Sequence, residues 1–76
     1  MKPIEFPEQN AIYAKDQPEY LPLPALLYRD GRVLTEWKLS EEERGRLVAG
    51  ETLRLWIWTF GQPVQPIRLE VTDEHR

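Results

Sequence analysis

The chain has 76 residues, with ten Lys and Arg against thirteen Asp and Glu for a net charge of −3, and no cysteine. Disulfide stapling is excluded, one domain at most is allowed, and the charge balance argues against non-specific nucleic-acid binding, which rests on a basic surface. A domain this small buries only roughly 60–65% of its unfolded surface, so its stability is marginal unless a metal or a partner helps. A structural metal is not expected, because the single histidine, His75, lies next to the end and zinc sites need convergent Cys or His ligands.

Residues 1–24 hold five of the seven prolines, Pro3, Pro7, Pro18, Pro22 and Pro24. Each fixes φ and removes an N–H, so no long helix fits. Only residues 10–15 leave room for a short strand. The string Tyr20-Leu21-Pro22-Leu23-Pro24 reads as extended, near polyproline II. Phe6, Ile12, Tyr13, Tyr20, Leu21 and Leu23 make the stretch too apolar for a solvated tail. The expectation is an extended proline-rich N-terminal arm packed on a single domain spanning 1–76.

Residues 25–39 read as a β-hairpin, with Asp30-Gly31 as a two-residue type I′ turn. That register would pair Arg29 with Arg32, Tyr28 with Val33, Leu27 with Leu34 and Leu26 with Thr35. It makes Val33, Thr35, Trp37 and Leu39 the core face, together with Tyr28 and Leu26. Residues 40–49 read as a helix: Ser40 and Glu43 form a capping box. Glu41, Glu42 and Glu43 suit the positive end of the helix dipole, and Gly50 suits the left-handed position after the last turn. The apolar face is thin (Leu47, Val48 and Ala49), so the helix must dock, most simply on Leu53, Leu55 and Ile57.

Residues 52–60 are β-branched and aromatic and read as a strand. Alternation puts Leu53, Leu55, Ile57 and Thr59 on one face and Arg54, Trp56, Trp58 and Phe60 on the other. Residues 61–66 form a loop. Residues 67–72 alternate again and read as a second strand, antiparallel to the first. The order β-β-α-β-β predicts an α+β domain with a small, mostly antiparallel sheet and one helix on a face. Strand 52–60 would be central, its aliphatic face under the helix and its aromatic face under the proline arm.

No catalytic set emerges. Ser40 is the only serine and its hydroxyl is used in capping. No glycine-rich phosphate loop exists among four scattered glycines, and no cofactor or enzymatic activity is expected. Met1-Lys2-Pro3 opens no signal-peptide pattern. The longest apolar run, residues 21–28, contains two prolines and is far short of a membrane span, so a soluble cytoplasmic protein is expected. Binding is the remaining chemistry. The candidate protein-interface residues are Arg54, Trp56, Trp58 and Phe60 on the aromatic face, restricted to what the arm leaves open, with Tyr20, Leu21 and Leu23 of the arm. Tryptophan is favoured at interface centres. Self-association or a protein partner is the leading class. The alternative is a single-stranded nucleic-acid or nucleotide binder stacking bases on Trp56, Trp58 and Phe60 beside Arg54, which the negative net charge disfavours. Residues 63–68 match the short P-x-x-P-x-R pattern read by SH3-type grooves, though a turn between strands explains them more simply.

Several of these strings together resemble a family of small uncharacterised phage and prophage proteins. They are Glu5-Phe6-Pro7-Glu8-Gln9-Asn10, the run from Asp16 to Pro24, Trp37-Lys38-Leu39-Ser40, and Thr59-Phe60-Gly61-Gln62-Pro63 with Gln65-Pro66. The similarity covers residues 2–69. The helix departs from the family's more basic and aliphatic pattern in Glu41-Glu42-Glu43 and Gly45. The resemblance implies no catalytic residue or cofactor. It implies a phage genome expressed in a bacterial cytoplasm, and hence a virion, assembly or host-modulating component.

Overall fold

The structure, a computed structural model, describes residues 1–16 and 21–72. Five short strands and one helix follow in order among them: β1 Lys2–Ile4, β2 Ala11–Tyr13, β3 Leu23–Leu27, β4 Val33–Leu34, β5 Glu36–Lys38 and α1 Glu41–Val48. They form two small antiparallel sheets, β1–β5 and β2–β3–β4. With one helix this is the α+β class the sequence predicts. The strand expected within 10–15 is β2. Strand β1 was not foreseen, because Pro3 reads as a strand breaker. It is tolerated in a sheet of two strands, where Pro3 sits opposite Trp37.

Phe6 and Ala25 are buried among the described residues, at 7% and 0% exposure, and Pro24 of β3 is buried beside Ala25. Phe6 begins the turn that links β1 to β2. Pro7 pre-sets the backbone at the second turn position. Gln9 closes the turn twice: its N–H donates to the Phe6 carbonyl (3.1 Å), and its Oε1 accepts from the Phe6 N–H (2.8 Å). A buried backbone pair is thereby satisfied without a ladder.

Asn10 extends β2 beyond its last backbone partner. Its own N–H donates to the Ala25 carbonyl at 2.9 Å. Its carboxamide then acts as one more residue of strand. Oδ1 accepts from the Leu27 N–H (2.8 Å) and Nδ2 donates to the Leu27 carbonyl (3.2 Å). Leu27 needs this because β4 takes it as a partner of Val33 while the neighbouring Tyr28 N–H donates to Arg32. The polar groups of Leu27 therefore point the other way, towards β2.

The hairpin exists, but its register is shifted by one residue from the expected one. Leu26 pairs with Leu34 and Leu27 with Val33. The Tyr28 carbonyl accepts from the Gly31 N–H at 3.1 Å, and Gly31 alone has positive φ, at 97°. The connection is thus a three-residue loop, a type I turn ending in a left-handed glycine. A type I′ turn would need Asp30 at positive φ as well. Asp30 instead turns its carboxylate on Arg32, accepting from the backbone N–H (3.1 Å) and from Nε (2.8 Å). The backbone bond, first among these, holds its pKa below the ordinary value. The shift turns over β4 alone: of the expected core face, Tyr28, Thr35 and Leu39 stay half-buried. Leu26 and Leu34 are half-buried, while Val33 and Trp37, expected in the core, are exposed at 53% and 47%. It also sets Arg32 opposite Tyr28, with the guanidinium 4.3 Å from the ring centroid, in place of the Arg29–Arg32 repulsion of the expected pairing. After Leu34 the chain breaks its strand at Thr35 and joins the other sheet as β5.

The helix matches its sequence signals. Ser40 caps it by accepting from Glu43, and the Glu43 carboxylate accepts from the Ser40 N–H at 2.9 Å. At the far end Glu51 N–H donates to the Arg46 carbonyl and Gly50 N–H to that of Leu47, with Gly50 at φ 95°. That is a Schellman ending. Residues 52–60 and 67–72, expected as strands, join neither sheet among the described residues. β propensity needs a neighbouring strand to express itself, and the described part of the chain offers none here.

Replacing Asn10 with Ala is expected to lower stability by about 0.5–1.5 kcal/mol, the net worth of exposed hydrogen bonds whose Leu27 groups turn to water instead. Asn10→Asp is expected to be at least as costly, since a carboxylate would face the Leu27 carbonyl. Urea denaturation checks both.

Candidate functional site

The C-terminal third leaves the helix in a fixed direction. Gly50 reverses the chain, and Arg46 and Glu51, already joined through the backbone, are tied again by their side chains. Nε lies 3.0 Å from each carboxylate oxygen and Nη2 lies 2.8 Å from Oε1. The carboxylate raises the pKa of Arg46 through that bond. Beyond it an open groove separates the helix from the departing chain. Met1, Leu39, Glu43, Arg46 and Leu47 line it together with residues 51–54. Leu47 and Leu53 line the same groove but stay exposed, at 37% and 45%, so the expected docking of the helix on 52–60 is not a packed contact. Leu55 and Ile57 lie outside the groove lining, and Val48 is 90% exposed.

Beyond the groove the expected cover is missing. Trp56 and Trp58 are each 73% exposed and Phe60 is 88% exposed. Leu53, Leu55 and Ile57 are less so, at 45–51%. The alternation read from the sequence survives as a difference between the two sides, with the aromatic side the open one. The expectation that 52–60 is a central strand buried on both faces is therefore overturned. Among the described residues the proline stretch does not cover it, because its second half is committed elsewhere. Leu23 belongs to β3 opposite Tyr13, and Leu21 is 72% exposed. Tyr20 lies outside the described residues. Arg54 lines the groove beside Leu53.

The turn also moves from its expected place. The Thr59 carbonyl accepts from the Gln62 N–H at 2.9 Å, with Phe60 at φ 52° and Gly61 at φ 82°. Two successive left-handed residues make a type I′ turn, the usual hairpin geometry. The sequence placed the loop over 61–66 because Phe60 looked like strand. A bulky residue in the left-handed region is strained. Phe60-Gly61 thus forms a hairpin turn whose flanks have no ladder among the described residues, and it holds an exposed aromatic ring at its tip. The I′ turn was hidden from the sequence because its first position normally takes Asn, Asp or Gly.

Among the described residues no group of three His, Cys, Asp or Glu could hold a metal ion, and no helix is long and apolar enough to cross a membrane. The chain matches no protein-family model, no curated protein and no solved structure.

Glu43, at the groove edge, carries the largest pH signature. The Met1 amino group contacts its carboxylate. That contact first, and the Ser40 N–H second, pull its pKa from 4.5 to about 2. A carboxylate depressed on folding stabilises fully above its unfolded value and loses that contribution as pH falls through the folded one. Glu43→Gln is therefore expected to lower the Tm at neutral pH, with the gap to the parent chain closing between pH 4.5 and about 2. Thermal melts across that range check it.

Proposed function

We propose that this chain is a non-enzymatic component of phage or prophage type, which acts through protein–protein contact made by Trp56, Trp58 and Phe60. The observation that carries the reading is the exposure of three large aromatic side chains within five residues, at 73%, 73% and 88%. Aromatic residues bury much area at low entropic cost and concentrate at the centres of interfaces. Contiguous apolar surface of this kind marks interaction sites. The left-handed Phe60 supports the same reading, since local strain is retained where it serves a site. The phage context, with its bacterial cytoplasm or virion, rests on the resemblance of the proline strings and of the Thr-Phe-Gly ending.

A stacking surface for single-stranded nucleic acid would use the same rings. The net charge of −3 weighs against it, and Arg54 shares its groove with Glu43 and Glu51.

Trp56→Ala or Trp58→Ala is expected to weaken partner binding by at least about 2 kcal/mol, roughly thirty-fold. Stability of the separated, unpartnered chain should change by less than about 0.5 kcal/mol, as for an exposed position. Binding titrations alongside urea denaturation separate the two. Variants that unfold would return the rings to a core and sink the contact reading. Tryptophan fluorescence that responds to oligonucleotides at low salt would move the surface to nucleic acid.

A further inference from the structure

We infer that the occupant of the 51–72 surface is a second copy of this chain. The inference rests on the protein-contact reading and names its partner.

The exposed area calls for an occupant. A folded monomer of 9.0 kDa is expected to expose about 4,900 Å² by the scaling of surface with mass. This chain exposes 7331 Å². The excess is roughly 2,400 Å², and each subunit of an obligate dimer hides roughly 1,000–2,500 Å². The radius of gyration agrees, at 14.2 Å against about 11 Å for a compact chain of this length. An excess of that size calls for an occupant with the extent of a folded subunit, larger than a short peptide or a small ligand. Residues 51–72 contribute to it along their whole length: every one of them except Thr59 is exposed.

The charge of the segment suits a second copy. The whole chain carries −3, and a surface meant for an oppositely charged partner would share that bias. Within 51–72 the charges are Glu51, Arg54, Arg68 and Glu70, two of each sign. Arg68 and Glu70 already face one another, with Nη2 to Oε2 at 3.4 Å. Two copies can therefore meet through this segment without net repulsion, rings against rings, as a two-fold interface requires. The backbone points the same way. Among the described residues the flanks of the 59–62 turn join no ladder, and burying them demands hydrogen-bond partners. Pairing of 52–58 or 63–69 across the two copies supplies these, and the type I′ turn already has the matching twist.

The test uses the full chain, with light scattering over a dilution series and tryptophan emission read in parallel. The expected mass is twice 9.0 kDa, with emission shifting to the red as dilution separates the copies. Phe60→Asn is the discriminating variant. Asn accepts the left-handed backbone that strains Phe, so the turn is preserved or improved, while the ring is lost. It is expected to raise the dimer Kd roughly ten-fold or more without lowering the far-ultraviolet circular dichroism of the separated chain. A monomer at every soluble concentration overturns the second copy. If that monomer has red, quencher-accessible tryptophans, the contact reading stands and the partner is another protein. If its tryptophans are blue and shielded, the rings are covered within one chain and both readings fall. A dimer that Phe60→Asn leaves unchanged places the interface elsewhere and likewise overturns the inference.

Discussion

The constraint on which the rest depends is the smallness of what β3 can gather. Its central residue, Ala25, is fully buried, and Phe6 is the one large side chain buried with it among the described residues. A side chain no bigger than a methyl group removes little apolar area, and hydrophobic stabilisation scales with that area. The sheets are accordingly held by hydrogen bonds that substitute for absent ladder. The Asn10 carboxamide completes Leu27, Gln9 closes the turn at Phe6, and Asp30 fastens the hairpin tip. Each such bond adds only about 1 kcal/mol net, but leaving the same groups unpaired in a protein interior would cost more.

This economy divides the chain into two unlike parts. Residues up to Gly50 place nearly every element in a sheet or a capped helix. Residues 51–72 contain Trp56, Trp58, Phe60, Leu55 and Ile57 and put none of them away. The junction between the parts is well specified. Gly50 sets the direction, and the Arg46–Glu51 pair doubles the backbone bond beneath it. Exposed ion pairs add little stability, but a fork gripping a carboxylate fixes geometry. The apolar segment is thus presented from a defined exit, and it ends its first run in a tight turn. A chain with a minimal core and a large uncovered aromatic surface is one whose stability and contacts are expected to be coupled.

Legibility followed the range of the forces involved. The helix was readable to its ends because Ser40, Glu43 and Gly50 act within one turn of where they stand. The hairpin was readable as a hairpin but not in register. Asp30-Gly31 fits both a two-residue and a three-residue loop, and the choice fell to Asp30 bonding Arg32 and to the stacking of Arg32 on Tyr28. A slip of one residue turns the slipped strand to the other face, so Val33 moved outward and Leu34 inward while Leu26 of β3 kept its side. The site was readable as a set of residues. The alternation of 52–60 correctly separated Trp56, Trp58 and Phe60 from Leu53, Leu55 and Ile57, but nothing in it could say which side would stay open.

By itself the sequence determined the α+β class, the capped helix, the presence of the hairpin and the identity of the aromatic side. All of these depend on neighbours a few residues apart. Only the tertiary structure decided that β1 pairs with β5, that β3 is the strand flanked on both sides, and that 52–60 is not. Those outcomes turn on which distant segment reaches which sheet edge, and strand propensity is silent about partners. The 52–60 stretch has the stronger strand composition, yet the centre went to Leu23–Leu27, which contains Pro24 and follows Pro22. The physical reason is that Ala25 is small enough to be enclosed completely and that Asn10 can mimic a strand for Leu27. Trp56 and Trp58 are large enough to need a surface that the described part of the chain does not supply.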